Sequence, residues 1–289
     1  MALAELGAPL VILAGGGDLP AQVATAAIRS GRPVLILAIE GEAGPSVEEF
    51  PHHWVKWGEL GRVESLTRQH GARDIVLVGK IIHRPSLKTV RLDALAIRSL
   101  PKLIGLFSGG DHSVLSVVIR FIEGRGFRVV GPHEIAGDLV AEAGTLTEIH
   151  PTSRDLVDLE LGFRAAIAIG KLDAGQAAVA LNEHIVALEG LEGTDAMIDR
   201  VGALREAGKV FERDRAGVVV KCAKPQQDLR IDMPTIGPHT VDRAAAANLA
   251  GIGIEAGRVI IVDRDTTLRK AREAGLFIVA RAADDPRHP

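Results

Sequence analysis

Three short apolar runs, Leu10–Ala14 (LVILA), Pro33–Ile39 (PVLILAI) and Asp74–Gly79 (DIVLVG), contain no alternation of polar and apolar residues. A strand with one solvated face alternates, whereas a strand covered on both faces does not. Between the runs lie segments of helical apolar period, Ala21–Arg29 closed by Gly31 and Leu60–His70 ended by Gly71. Strands covered on both faces and linked by helices leave few architectures. They predict an α/β fold with a parallel sheet between helices. The alternation continues through a helix expected over Ser113–Glu123 and a short strand over Phe127–Val130.

Residues Gly131 to Thr152 mix proline, glycine, histidine and acids, so a domain boundary is expected there. This gives a Rossmann-like domain over residues 1–138 and a second α/β domain over 139–289. In the second half a helix is expected over Ser153–Ile169 with Ser153 as N-cap. Paired strands are expected over Ala177–Leu181 and His184–Leu188, then a helix through Val201 capped by Thr194 or Asp195. Thr240 is expected to cap an alanine-rich helix. Strands at Gly251–Glu255, Val259–Val262 and Leu276–Ala280 follow, with a helix over Asp265–Ala274.

Composition removes several function classes. Of 289 residues 47 % are apolar and 25 % charged, as in a soluble globular protein. A net charge of −3 without a dense basic cluster argues against nucleic acid as a partner. The single cysteine, Cys222, excludes an intramolecular disulfide and a cysteine-based zinc site, and suits a reducing cytosol. Its place in an apolar strand fits buried filler better than a nucleophile. The N-terminal run has no basic flank and reads as a first strand, not a signal peptide. No stretch reaches the roughly 18 apolar residues of a membrane span, so a membrane role would be peripheral.

Gly15, Gly16 and Gly17 follow the first run, and Asp18 opens the helix behind them. Backbone amides in such a turn can cradle a phosphate; a tight turn explains the glycines as well. The spacing is not G-x-G-x-x-G, and Glu40 falls too early for the usual ribose acid. Lys80 and Arg84, beyond the third run, are placed for an anion at strand C-termini, or are solvated loop charges. A second glycine turn includes Gly110 and Asp111, where Asp111 either meets a ligand or caps the next helix.

The densest functional pattern is Lys221–Gly237, KCAKPQQDLRIDMPTIG. In extended form it would put Gln226, Asp228, Arg230 and Asp232 on one face and Gln227, Leu229, Ile231 and Met233 on the other. Two carboxylates around a guanidinium suit a metal or a phosphate-bearing ligand, or form a self-neutralising surface row. Glu192 or Asp195 could complete a metal site with them. The chain has no G-x-S-x-G, H-E-x-x-H, Walker A or C-x-x-C motif. Acid clusters with Lys and Arg near glycine turns fit phosphoryl chemistry, in which a carboxylate-held cation and basic side chains neutralise phosphate oxygens. A nucleotide- or sugar-nucleotide-binding protein without hydrolysis would need the same turns. A dehydrogenase is disfavoured by the missing third glycine and ribose acid.

GGGDLP at 15–20, GK at 79–80, RP at 84–85, GGD at 109–111, LDAGQ at 172–176, EGTDAMI at 192–198 and the 221–237 stretch stand in one order. Together they resemble the LpxI family of UDP-2,3-diacylglucosamine pyrophosphatases of lipid A synthesis, over nearly the whole chain. The resemblance implies magnesium-dependent hydrolysis of UDP-2,3-diacylglucosamine to lipid X and UMP, with water attacking the phosphorus nearer the sugar. It implies two domains with substrate between them, in the cytoplasm at the inner-membrane face; a homodimer is compatible with it. Carried onto this sequence, Asp228 is the first candidate for the essential carboxylate, as metal ligand or water activator, and Asp232 the second. Arg230, Lys221 and Lys224 would hold the pyrophosphate. Gly15, Gly16, Gly17, Asp18, Lys80, Arg84, Gly110, Asp111, Gln176, Glu192, Gly193, Thr194, Asp195 and Gln227 would bind substrate. Pro101–Phe107 is one apolar candidate for the acyl-chain groove, or a core helix.

Overall fold

The computed structural model describes residues 7–81, 91–99, 114–210 and 214–282. The chain divides into two compact units. The first runs to Gly137 and includes Arg230–Asp232; the second comprises Asp138–Leu229 and the chain from Met233.

In the first unit β1 (Leu10–Ala14), β2 (Val34–Ile39), β3 (His52–Val55), β4 (Asp74–Val78) and β5 (Arg128–Val129) form a parallel sheet in the order β3-β2-β1-β4-β5. Every residue of β2 is buried, as its unbroken apolar run requires. The helices Leu19–Arg29, Leu60–Gln69 and Val114–Glu123 belong to this unit. The edge strand β3, HHWV, escapes the apolar-run criterion because only its last residue is buried. Strand order reverses at β1 and β4, so their carboxyl ends flank the switch point where open α/β sheets bind ligands. At the opposite end Asp74 accepts from Arg32 at 2.6 Å and from Arg128 through two bonds of 2.8 Å.

The second unit holds β6 (Gly144–Thr145), β7 (Ala177–Leu181), β8 (His184–Leu188), β9 (Val218–Lys221), β10 (Thr235–Ile236), β11 (Gly251–Glu255), β12 (Ile260–Ile261) and β13 (Phe277–Arg281). Its main sheet has the order β6-β13-β11-β9-β7-β8, parallel across β13, β11 and β9 and antiparallel elsewhere. The two-residue side-chain period divides two cores. Val219 packs with Met197, Val201, Val241 and Ala271 on one face; Val218 and Val220 pack with Leu159, Phe163 and Ala166 on the other. The helix Ser153–Lys171 supplies those last three residues. It lies so close to the sheet that a Cβ on Gly253 would come 2.7 Å from Leu159 Cδ2.

Several expected boundaries shift for local reasons. Thr152, not Ser153, is the N-cap: its hydroxyl oxygen accepts the Asp155 N–H, and the Asp155 carboxylate accepts the Thr152 N–H. The helix Pro238–Ala246 starts before Thr240, whose hydroxyl reaches back to accept the Gly237 N–H at 3.3 Å. The Val259–Val262 run shortens to β12, which pairs with β10 outside the main sheet. No helix among the described residues is long and apolar enough to cross a membrane.

Candidate active site

At the switch point the first two glycines serve backbone-to-backbone contact. Gly16 and Lys80 exchange both backbone hydrogen bonds, at 2.8 and 2.9 Å, and the Gly15 N–H donates to the Val78 carbonyl at 2.9 Å. A Cβ on Gly15 would come 2.6 Å from the Lys80 carbonyl oxygen. The Gly15 and Gly16 N–H groups expected to face a phosphate are thus taken by the Val78 and Lys80 carbonyls. Gly17 and Asp18 are exposed, and the Asp18 side chain makes no cap bond. Lys80 is exposed beside the bridge. Arg84, Gly110, Asp111 and the Pro101–Phe107 segment lie outside the described residues.

In the second unit β9 carries Lys221 to the carboxyl edge of the sheet, and the chain then turns rather than extending. The Gln227 N–H donates to the Lys224 carbonyl at 3.0 Å, and the Lys224 N–H donates to Gln227 Oε1 at 2.9 Å. Pro225 lacks the N–H a strand ladder needs, and the Gln227 side chain offers the backbone a local partner instead. A second turn spans 229–231. The expected strand with Asp228, Arg230 and Asp232 on one face is thus not formed, and Gln227, expected at substrate, closes a turn. Gln226 Nε2 fastens that turn to the Gly170 carbonyl at 3.0 Å.

The basic side chains of the stretch have partners of unequal strength. Lys221 Nζ donates to the Thr235 carbonyl at 3.0 Å, and Lys224 Nζ pairs with the exposed Asp173 at 2.7 Å. Arg230 pairs with Glu123 at 2.9 Å within the first unit, with both side chains more than a third exposed. Asp228 is half-buried and Asp232 exposed. Cys222 is buried, and burial, with the nearby Glu255 carboxylate, pushes its thiol far above the ordinary range; it is inert filler.

Sequence reasoning passed over Glu189. This residue is buried, and its two carboxylate oxygens accept the Thr194 hydroxyl at 2.7 Å and the Gln176 N–H at 2.8 Å. Thr194 is thereby turned inward, neither capping the helix nor facing outward; the helix Gly193–Glu206 has Glu192 at its N-cap. The signal was in the register: Glu189 follows β8 directly and its N–H bonds the carbonyl of Ala177, where β7 starts. Glu192 pairs with Arg200 at 3.2 Å. Asp195 lies 3.5 Å from His239 and 3.8 Å from Arg243, which also pairs with Asp199. The suggestion that Glu192 or Asp195 completes a carboxylate cluster gains no geometry from these contacts.

Among the described residues no three acid, histidine or cysteine side chains gather into a metal cage. Magnesium commonly uses one or two carboxylates and takes its other ligands from water and substrate phosphates. Asp228, half-buried in the second unit, and Asp232, exposed in the first, are each a carboxylate of the kind that cation takes.

Comparison with known proteins bears on the whole length. Residues 9–139 match the model of the LpxI N-terminal domain, and residues 142–279 that of the LpxI C-terminal domain. The UDP-2,3-diacylglucosamine pyrophosphatase LpxI of Caulobacter vibrioides is 37 % identical over 270 residues, 93 % of this chain and 96 % of the relative. Both domain models in order, and similarity across almost all of both chains, leave no half of the molecule unaccounted for: the chain belongs to the LpxI family.

Proposed function

We propose that the protein hydrolyses the pyrophosphate of UDP-2,3-diacylglucosamine, releasing UMP and 2,3-diacylglucosamine 1-phosphate (lipid X), in lipid A synthesis. The observation that carries this reading is the 37 % identity over nearly the full length of both chains. In the reaction a water oxygen bonds to the phosphorus on the acylglucosamine side, the bridging P–O bond breaks, and UMP leaves with that oxygen. Asp228 is assigned to hold the nucleophilic water or the cation beside it, with Asp232 as second carboxylate. Lys221, Lys224 and Arg230 are assigned to the pyrophosphate charge. Exposed ion pairs are worth only about 0–1 kcal/mol, so Lys224 and Arg230 can exchange Asp173 and Glu123 for phosphate oxygens at little cost. Magnesium, when bound through Asp228 and Asp232, would supply charge neutralisation at the phosphates. The reading makes the protein peripheral to the cytoplasmic face of the inner membrane, where it would meet a diacylated substrate.

The test is UMP release from UDP-2,3-diacylglucosamine with magnesium, then with EDTA, for wild type and Asp228→Ala. The expected result is magnesium-dependent release, reduced at least a thousandfold in the variant while substrate affinity changes less than tenfold. Binding by the wild type without release would replace the hydrolase with a sugar-nucleotide-binding protein. Equal loss of binding and turnover in the variant would make Asp228 structural.

A further inference from the structure

We propose that Glu189 is a positioning residue for substrate, a buried tie that holds the 172–176 turn and the 192–195 loop in one register. This inference rests on the hydrolase reading above and names a residue which that reading does not use. Three observations carry it. The Glu189 carboxylate is engaged at both oxygens, by the Gln176 N–H and the Thr194 hydroxyl, one from each segment. The Gln176 carbonyl is fixed from the other side by the Cys222 N–H at 2.9 Å, so Glu189 sets the remaining freedom of that residue. A Cβ on Gly175 would overlap the Glu189 carbonyl, so the turn is seated directly on the Glu189 backbone.

What is positioned is the Gln176 side chain. Its Oε1 is buried and has no hydrogen-bond partner among the described residues. A buried amide oxygen without a donor is costly, and native structures rarely leave one without a reason. The terminal amide torsion is broad and two-fold, so the group can turn toward a ligand without breaking an internal bond. An amide presents an acceptor and a donor but no charge. It therefore suits the neutral hydroxyl and N–H groups of a sugar nucleotide rather than its phosphates. Glu189 acts on substrate only through this presentation and through Thr194.

The experiment compares Glu189→Ala, Glu189→Gln and Thr194→Val with wild type in the full-length protein. It measures kcat and KM for UMP release, thermal midpoint, and peptide-level amide exchange. For Glu189→Ala we expect faster exchange over both 172–177 and 190–196, unchanged exchange over 251–255, and KM raised about tenfold with kcat changed less than threefold. Glu189→Gln keeps one acceptor oxygen and should fall between. Thr194→Val should raise KM in the same direction, and adding it to Glu189→Ala should add nothing, because the Thr194–Glu189 bond it removes is already gone. A lowered thermal midpoint with unchanged KM and kcat would overturn the proposal, as would loosening of only one segment. If Glu189→Ala does not fold, Glu189→Gln and Thr194→Val decide by the same criteria. Inactive wild type would instead sink the hydrolase reading; active wild type with kinetically silent Glu189 variants sinks only this one.

Discussion

Gly79 has φ +106°, and a Cβ there would come 2.7 Å from the Gly15 carbonyl carbon. Both facts act at the Gly16–Lys80 bridge, which holds the two switch-point loops together. The left-handed backbone alone costs a side-chain-bearing residue about 1–3 kcal/mol, and the contact is with backbone that cannot rotate away. Gly79→Ala should therefore destabilise the first unit by about 3 kcal/mol, seen as a lower urea midpoint in tryptophan fluorescence. It should also displace Lys80 and weaken substrate binding. A midpoint within error of wild type would show that the bridge is not the constraint the geometry implies. The same residue scale explains part of what sequence reading missed at the site. Gln227 and Thr194 were substrate candidates through the family resemblance. Which bonds such a group makes inside the fold depends on a partner that no periodicity records, here Lys224 and Glu189.

The β7–β8 hairpin turns on Asn182 and Glu183, both with positive φ, the conformation of a two-residue turn whose twist matches its strands. Asp158, 1 % exposed on the long helix, accepts the N–H groups of both turn residues, at 3.0 and 2.7 Å. Deleting that carboxylate takes an acceptor away from two amides that face a buried helix position. Asp158→Ala should thus cost roughly 3 kcal/mol in urea unfolding followed by circular dichroism, and Asp158→Asn, which keeps one acceptor, about half as much. Elements like this hairpin were legible: Ala177–Leu181 and His184–Leu188 stand as two β-rich runs around an Asn-Glu turn. The buried strands β1, β2 and β4 were legible because burial on both faces leaves a continuous apolar run. The edge strand β3 was hidden because an edge strand is free to carry histidines. The 221–237 stretch misled because alternation along a short polar segment describes a strand only if the backbone extends, and Pro225 with Gln227 bends it. The order of motifs along the chain was legible where their three-dimensional arrangement was not.

At the scale of the molecule the first unit carries an acid sensitivity that its own fluorophores report. Both tryptophans, Trp54 and Trp57, lie in the first unit, so their fluorescence reports that unit alone. The same unit holds two carboxylates with lowered pKa. The Asp74 carboxyl is held below its usual value by hydrogen bonds from Arg128 and then Arg32, which outweigh burial. Burial raises Glu64, but bonds from Arg125 and Arg68 together more than reverse it. A carboxylate whose folded pKa is depressed stabilises the fold above its unfolded value, near 3.8 for Asp74, and loses that contribution as pH falls through the folded value. Asp74 joins β4 to β5 and to the segment before β2, so its loss acts on the whole sheet. Asp74→Asn should lower first-unit stability at pH 7 by about 2 kcal/mol, the scale of a hydrogen bond to a charged group. The gap between variant and wild type should narrow steadily below pH 4 and close once wild-type Asp74 is protonated. Urea titrations followed by tryptophan fluorescence at pH 7, 5, 4 and 3 measure this directly. A constant gap at all four values would mean that Asp74 acts through packing and not through its charge.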